Sequence, residues 1–133
     1  MIKIKINNIP LLVDVADTDE KRAIGLSDRD YLEEDRGMLF IFEEVQPEVS
    51  FFMPGMKFPL DIIFIGSDKR VKEIYLAQKL IDNDIMCQDV LYVVETRLGW
   101  CNAHGIKKDD KFEIDKVYLI ATKILIKEKI YGN

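Results

Sequence analysis

The chain is poor in the residues that build metal and redox centres. Among 133 residues there are two cysteines, Cys87 and Cys101, and one histidine, His104. Four-ligand zinc sites draw on more than that, so no cofactor or metal is expected. The cysteines lack a CxxC spacing; free thiols of a reducing compartment are the default reading, with a disulfide between them the less supported alternative. No apolar run reaches the roughly 20 residues that cross a bilayer as a helix. The opening residues, MIKIKINNIPLL, alternate Ile with Lys, whereas a secretion signal needs an unbroken apolar core. Cytoplasmic residence, away from membranes, is the expectation. Basic charge is also scarce: 19 Lys and Arg stand against 24 Asp and Glu, a net charge of −5. A nucleic-acid binder displaces counterions with a basic face, so nucleic acid is not an expected partner. The basic clusters Lys107-Lys108 and Lys123, Lys127, Lys129 are each diluted by nearby acids. Glycine-rich phosphate loops, nucleophile elbows and HExxH are missing as well.

What the chain does have is β-forming apolar sequence. Hydrophobic residues make up 48% and charged residues 32%, a globular balance, and the length suits one domain with a real core. Lys3 to Ile6 alternates with period two, as a half-exposed strand does. Asn7-Asn8 supplies a turn, not of the ideal two-residue hairpin type, and Pro10 enters a second strand, Leu11 to Val15. Asp17 or Thr18 can cap a short helix, with Glu20 three residues after Asp17 as in a capping box. Ala23 and Leu26 share its inner face and Gly25 falls near its end. Arg22 and Arg29 cover neighbouring surface or pair with acids, and Leu32 anchors the loop that follows.

Gly37 to Phe42 reads as a buried strand, residues 43–48 as a polar connection and Val49 to Met53 as another strand. Pro59 lacks an N–H and belongs just before a strand. Leu60 to Ile65 is that strand, and the turn Gly66 to Lys69 returns the chain along Val71 to Ala77 as a hairpin. Residues 79–90 read as a surface loop, Leu91 to Thr96 as a strand, Leu98 to Gly105 as one or two helical turns, and Lys111 to Ile114 as a strand. The β-branched tail, Val117 to Ile130, favours strand over helix. The expected fold is a compact, mainly β, mostly antiparallel and partly open barrel with one or two short helices.

Several of these stretches together resemble the domain of unknown function 192 family. They are GMLFIF, then FFM followed by PLDIIFI, then YVVET with GWCNAHGIKKDDKFEI, preceded by DTDEKRAIGLSDRDYL. The resemblance runs from about Leu11 to Ile114 and implies the same partly open β-barrel. It brings no activity, because the family is named for lacking one. Two departures stand out. Phe52 replaces a Trp, and Pro54-Gly55-Met56 replaces a polar Lys-Asn-Thr, so any site there should be more apolar or absent. Asp109-Asp110 stands where Gly-Asp is usual, so that turn should differ in backbone. Residues 115–133 extend beyond the core and suit an edge strand, in this chain or on a neighbour.

The candidate site residues cluster around Phe51 to Ile65. Asp61 sits near the start of a very apolar strand, where a charge must be exposed or satisfied. It either holds a ligand's cation, hydroxyl or amine, or serves the backbone N–H groups of the Met53 to Phe58 turn, or pairs with Arg22 or Arg29. Glu95 is a second acid in an apolar strand, and convergence with Asp61 would make a carboxylate pair for a divalent cation or a raised pKa. Cys101 and His104 are three apart, a spacing that brings them to one helical face. Phe51, Phe52, Met53, Met56 and Phe58 form an aromatic and methionine cluster that Trp100 can cover.

From these we expect a non-catalytic binding module that takes a small molecule or protein at a lip formed by Phe52, Met53, Met56, Asp61, Glu95 and Trp100. In that reading Asp61→Ala spares the fold and abolishes binding. The rivals are a hydrolase or metal-assisted enzyme using Asp61 and Glu95, and an assembly protein that oligomerises through its C-terminal strand.

Overall fold

The computed structural model describes residues 1–51, 53–78 and 85–115. Seven strands and two short helices follow in chain order: β1 Ile2–Ile6, β2 Ile9–Ala16, α1 Asp19–Ile24, β3 Arg36–Phe51, β4 Leu60–Ile65, β5 Val71–Ala77, β6 Ile85–Arg97, α2 Trp100–His104 and β7 Phe112–Ile114. The strands form one sheet in the order β5-β4-β6-β3-β2-β1-β7. The sheet curls, and its two outer strands meet at one end. There Arg70 bridges Lys111, Val71 donates to the Asp110 carbonyl and Phe112 donates to the Lys69 carbonyl. The result is a half-barrel, closed at one end.

The sheet is mixed, because β2 pairs parallel with β3 while every other pairing is antiparallel. Parallel neighbours need a crossover. Here α1 and the loop after it supply one, starting from Thr18, whose hydroxyl accepts the Lys21 N–H. The first turn is tighter than its sequence suggested. Ile6 pairs with Ile9, and Asn7 and Asn8 both take positive φ, 51° and 62°. That is the left-handed pair of a two-residue hairpin, which asparagine tolerates well. At the turn before β7, Asp109 takes φ 70°, so an aspartate adopts the left-handed backbone where the resemblance leads one to expect glycine.

Two expected boundaries are corrected. The stretches around Gly37 to Phe42 and Val49 to Met53 belong to one strand, β3, which passes through a register shift between Ile41 and Gln46. The polar residues 43–48 mislead because they are the outside of a bend rather than a break. Similarly, residues 85–90, expected as loop, pair with Gln46 to Phe51 as the first half of β6. Phe52, residues 79–84 and the tail 116–133, including the expected strand Val117 to Ile130, lie outside the described residues.

The bend folds the far halves of β3 and β6 back as a ribbon. Phe40 and Phe51, eleven residues apart on one strand, meet edge to face at 5.2 Å, and Phe51 meets Phe64 at 6.0 Å. The curled sheet therefore has a core on each face. One gathers Ile4, Ile6, Leu39, Ile63, Val94, Trp100 and Phe112. The other gathers Ala16, Leu26, Leu32, Met38, Phe40, Met53, Ile62 and Phe64 beneath the ribbon. β4 lies between them and is buried along its whole length, which is why it reads as an unbroken apolar run rather than an alternating one.

Candidate functional site

Strand register decides where the two candidate acids point. Asp61 pairs with Thr96, while Ile62 pairs with Glu95. Paired residues share a face and successive residues alternate. Asp61 and Glu95 therefore lie at the same end of the sheet but project from opposite faces. The carboxylate pair required by a metal-assisted or hydrolytic reading does not form. Among the described residues, no three His, Cys, Asp or Glu stand close enough to hold a metal ion.

Asp61 is fully buried and does not open to water. It occupies the cross-strand row Leu76, Asp61, Thr96, Gly37, Val13. Gly37 leaves the room this row needs, since a Cβ there would lie 2.5 Å from the Glu95 carbonyl oxygen. The Asp61 carboxylate accepts the Gly99 N–H at 3.2 Å and the Cys101 N–H at 2.9 Å. These are free donors at the start of α2, which Gly99 cannot cap with a side chain. A residue some forty positions upstream thus caps the helix. The amides expected to do this, those of the Met53 to Phe58 turn, are engaged differently: Met56 donates to the Met53 carbonyl at 2.8 Å. The arginines are engaged elsewhere too, Arg29 with Asp14 and Arg22 with Asp19 and the Ile41 carbonyl.

The same corner explains Cys101 and His104. Burial, reinforced by the adjacent Asp61 carboxylate, pushes the Cys101 thiol well above its usual range, so it is no thiolate nucleophile. His104 does not bond the thiol. Its Nδ1 bonds the Trp100 carbonyl at 2.9 Å, and its ring lies 4.8 Å from the Trp100 ring. An N–H at Nδ1 suits that carbonyl acceptor.

Glu95 has the opposite surroundings. It is 5% exposed and occupies the row Asp14, Met38, Glu95, Ile62, Tyr75. Its immediate neighbours in that row, Met38 and Ile62, are apolar and buried. Asp61 and Thr96, the other buried polar side chains there, each have one or more hydrogen-bond partners, and among the described residues no fully buried side-chain polar atom lacks one. Burial alone raises the Glu95 pKa to about 8, so the group carries its proton at neutral pH. The core on this face is covered by the turn holding Met53, Met56 and Phe58 and by the loop holding Leu26 and Leu32. Lys57 joins Asp30 across those two segments at 2.9 Å, and Lys57 holds the Asp30 carboxyl below its ordinary value.

The six residues expected to form one lip are thus divided. Asp61 and Trp100 belong to one face, Glu95, Met53 and Met56 to the other, and Phe52 lies outside the described residues. Sequence reading did not find the Asp30–Lys57 and Asp14–Arg29 links, which join residues distant along the chain and carry no local signature. A hollow of about 660 Å³ lies elsewhere, along β1, β7 and the turn before β5, and mixes Lys3, Lys5, Lys69, Arg70 and Lys111 with three acids. It holds no buried polar side chain, so the Glu95 face is the more specific feature.

A mixed seven-strand half-barrel with a core on each face and, among the described residues, one buried acid on each defines the class of domain. The particular family follows from the sequence: the chain belongs to the domain of unknown function 192 family (DUF192, Uncharacterized ACR), whose model matches residues 2–114. No curated protein matches the chain. Among solved structures it is similar to a protein of unknown function from Novosphingobium aromaticivorans, with 29% identity, a TM-score of 0.77, and 84% of this chain and 83% of that one covered. It is also similar to a putative transcription regulator from Sinorhizobium meliloti, with 26% identity, a TM-score of 0.76, and 85% of this chain and 92% of that one covered.

Proposed function

We propose that this chain is a non-catalytic binding domain whose site lies on the Glu95 face, between the sheet and the Met53–Phe58 turn. One observation carries the reading. Glu95 is a carboxyl only 5% exposed, set between apolar neighbours, and burial raises its pKa to about 8. Carboxyls are rarely buried among apolar side chains, and carboxyls with perturbed pKa values gather at functional sites. A bound ligand gives such a carboxyl a role. The methionines support it, since Met38, Met53 and Met56 give adaptable apolar walls. The turn above is irregular, tied to the opposite loop by the exposed Lys57–Asp30 pair, which is a weak tie in water. Asp61 and Trp100 then act from the other face as supports of the sheet end rather than as contacts. The net charge of −5 favours a small molecule over a nucleic acid.

The five methionines offer a direct test. With ¹³C-labelled methyl groups, neutral apolar fragments are expected to shift Met38, Met53 and Met56. Met1 and Met86 are exposed and stand outside that core, so they serve as internal references. A fragment library that moves only those two, or none of the five, overturns the site.

A further inference from the structure

The hollow of about 660 Å³ lies where the sheet closes, between β1 and β7 on one side and the turn before β5 on the other, and it shares no residue with the Glu95 face. Lys3 and Lys5 alternate with the core residues Ile4 and Ile6 and so share the outer face of β1. Five Lys and Arg line the hollow against three Asp and Glu, an excess of two positive charges on a chain whose net charge is −5. Two of the acids are committed to the chain itself. Asp68 accepts the Arg70 backbone N–H at 3.0 Å, and Glu113 pairs with Lys111 at 3.1 Å. Arg70 bonds a neutral acceptor, the Asp109 carbonyl at 3.0 Å. Among the described residues, the ammonium groups of Lys3, Lys5 and Lys69 form no ion pair. Four positive charges therefore face one remaining acid, Asp115.

The backbone adds a donor. Asn7 donates to the Lys111 carbonyl and Asp115 to the Lys3 carbonyl, so residues 111, 113 and 115 turn their main-chain polar groups toward β1. Phe112 and Ile114 turn theirs to the open side, where the Phe112 N–H reaches the Lys69 carbonyl at 2.9 Å. The Ile114 N–H points the same way, into the hollow that Ile114 lines. Lys69 supplies an independent sign. Five non-glycine residues among those described have positive φ; four are Asn or Asp, and the fifth is Lys69, at 61°. Asparagine and aspartate tolerate that backbone far better than lysine does. A lysine stands where the turn disfavours it, and strained positions of this kind gather at functional sites.

The walls decide what fits. Ile4, Phe112 and Ile114 send their side chains into the core and show the hollow their backbone. Among the described residues no aromatic ring faces it, so a flat apolar body has nothing to stack on. A carboxylate would meet half of the charge excess. A phosphate group carries about two negative charges and three strong acceptor oxygens, which suit a guanidinium, ammonium groups and an amide N–H. The volume leaves room for an organic body, and the acids at the rim accept hydroxyl donors. A nucleic-acid strand needs a continuous basic track, which those acids interrupt. We propose that this hollow binds a small phosphorylated molecule with a hydroxylated, non-aromatic body, its phosphate held by Lys3, Lys5, Lys69, Arg70 and the Ile114 N–H.

The test titrates the full chain with inorganic phosphate, glycerol 3-phosphate and glycerol near pH 7.5, at a fixed ionic strength of about 0.1 M, and reads the backbone amides. Glycerol 3-phosphate is expected to shift Lys5, Lys69 and Ile114 and to bind at least about threefold tighter than inorganic phosphate, while glycerol shifts none of them. Lys69→Asn removes a charge and relieves the backbone. It should weaken binding about fivefold or more while the urea midpoint holds or rises, a combination that a purely structural lysine would not give. Lys5→Gln should weaken binding likewise. Lys21→Gln, the same charge change on α1, should leave it unaltered. No shift at about 10 mM, shifts scattered over lysines elsewhere, or an equal loss in Lys21→Gln overturns the site. Inorganic phosphate binding as tightly as glycerol 3-phosphate overturns the hydroxylated body, and tighter binding of a short single-stranded oligonucleotide at the same amides overturns the small-molecule class. A Lys69→Asn chain that loses stability overturns the reading of that lysine, and Lys5→Gln then decides the site.

Discussion

Asp61 and Glu95 are one strand and one residue out of step, and that offset gives them opposite environments. Both are buried acids at the same end of the same sheet. Asp61 faces the start of α2 and is bonded by two backbone N–H groups. Glu95 faces methionine and isoleucine and keeps its proton instead. A buried acid has these two routes to tolerable energy: charge matched by donors, or no charge at all. The first makes the residue part of the scaffold. The second leaves a carboxyl that keeps its proton in an apolar setting.

Replacing each acid by its amide sharpens the contrast, and the largest effect is expected at Glu95. Its folded pKa lies above the unfolded value, so the proton is held more tightly in the fold. The neutral carboxyl's contribution is therefore complete below about pH 4.5 and is lost progressively as pH rises to about 8. The total is on the order of 5 kcal/mol. Glu95→Gln removes this dependence, and urea unfolding at pH 9 should find the variant more stable than the unaltered chain, by several kcal/mol at most. Equal stability of the two chains across that range would mean that Glu95 is not desolvated.

At Asp61 the sign reverses. Asn offers one acceptor oxygen where two N–H groups must be met, so Asp61→Asn should cost roughly 2–3 kcal/mol, and Asp61→Ala more, by leaving buried donors unpaired. The expectation from sequence, that Asp61→Ala would spare the fold, is thereby withdrawn. Loss of the α2 amide protection in hydrogen exchange would accompany the loss of stability; retained protection at Gly99 and Cys101 would break the comparison. The smallest effect belongs to Cys101→Ala. It removes a small buried thiol beside Asp61 and should cost about 1 kcal/mol in the same unfolding measurement.

Much of this architecture is legible in the sequence because it is local. The β4–β5 hairpin is announced by Pro59 before an apolar run and by Gly66 to Lys69 after it. The α1 cap is visible at Thr18, and α2 ends where Gly105 takes a left-handed turn. Asp61 stands out as an acid that must be satisfied, and it is satisfied. What was not legible is relational. The partner amides of Asp61 lie at Gly99 and Cys101, and no local pattern links them to it. The separation of Asp61 from Glu95 depends on the β4–β6 register, and a slip of one residue would put them on one face. The continuity of β3 was hidden because residues 43–48 face outward at a bend, where polar side chains look like a loop.

That bend also decides how the Glu95 face is covered. Part of the roof over this core is the far half of the strand that makes its floor, as the meeting of Phe40 with Phe51 requires, and loops close the rest. Lifting that strand would strip the central pairing of the sheet, so the cover is weakest on the side closed by loops. The molecule is built like a folded sleeve: stiff along the crease, and free to part only at the cuff.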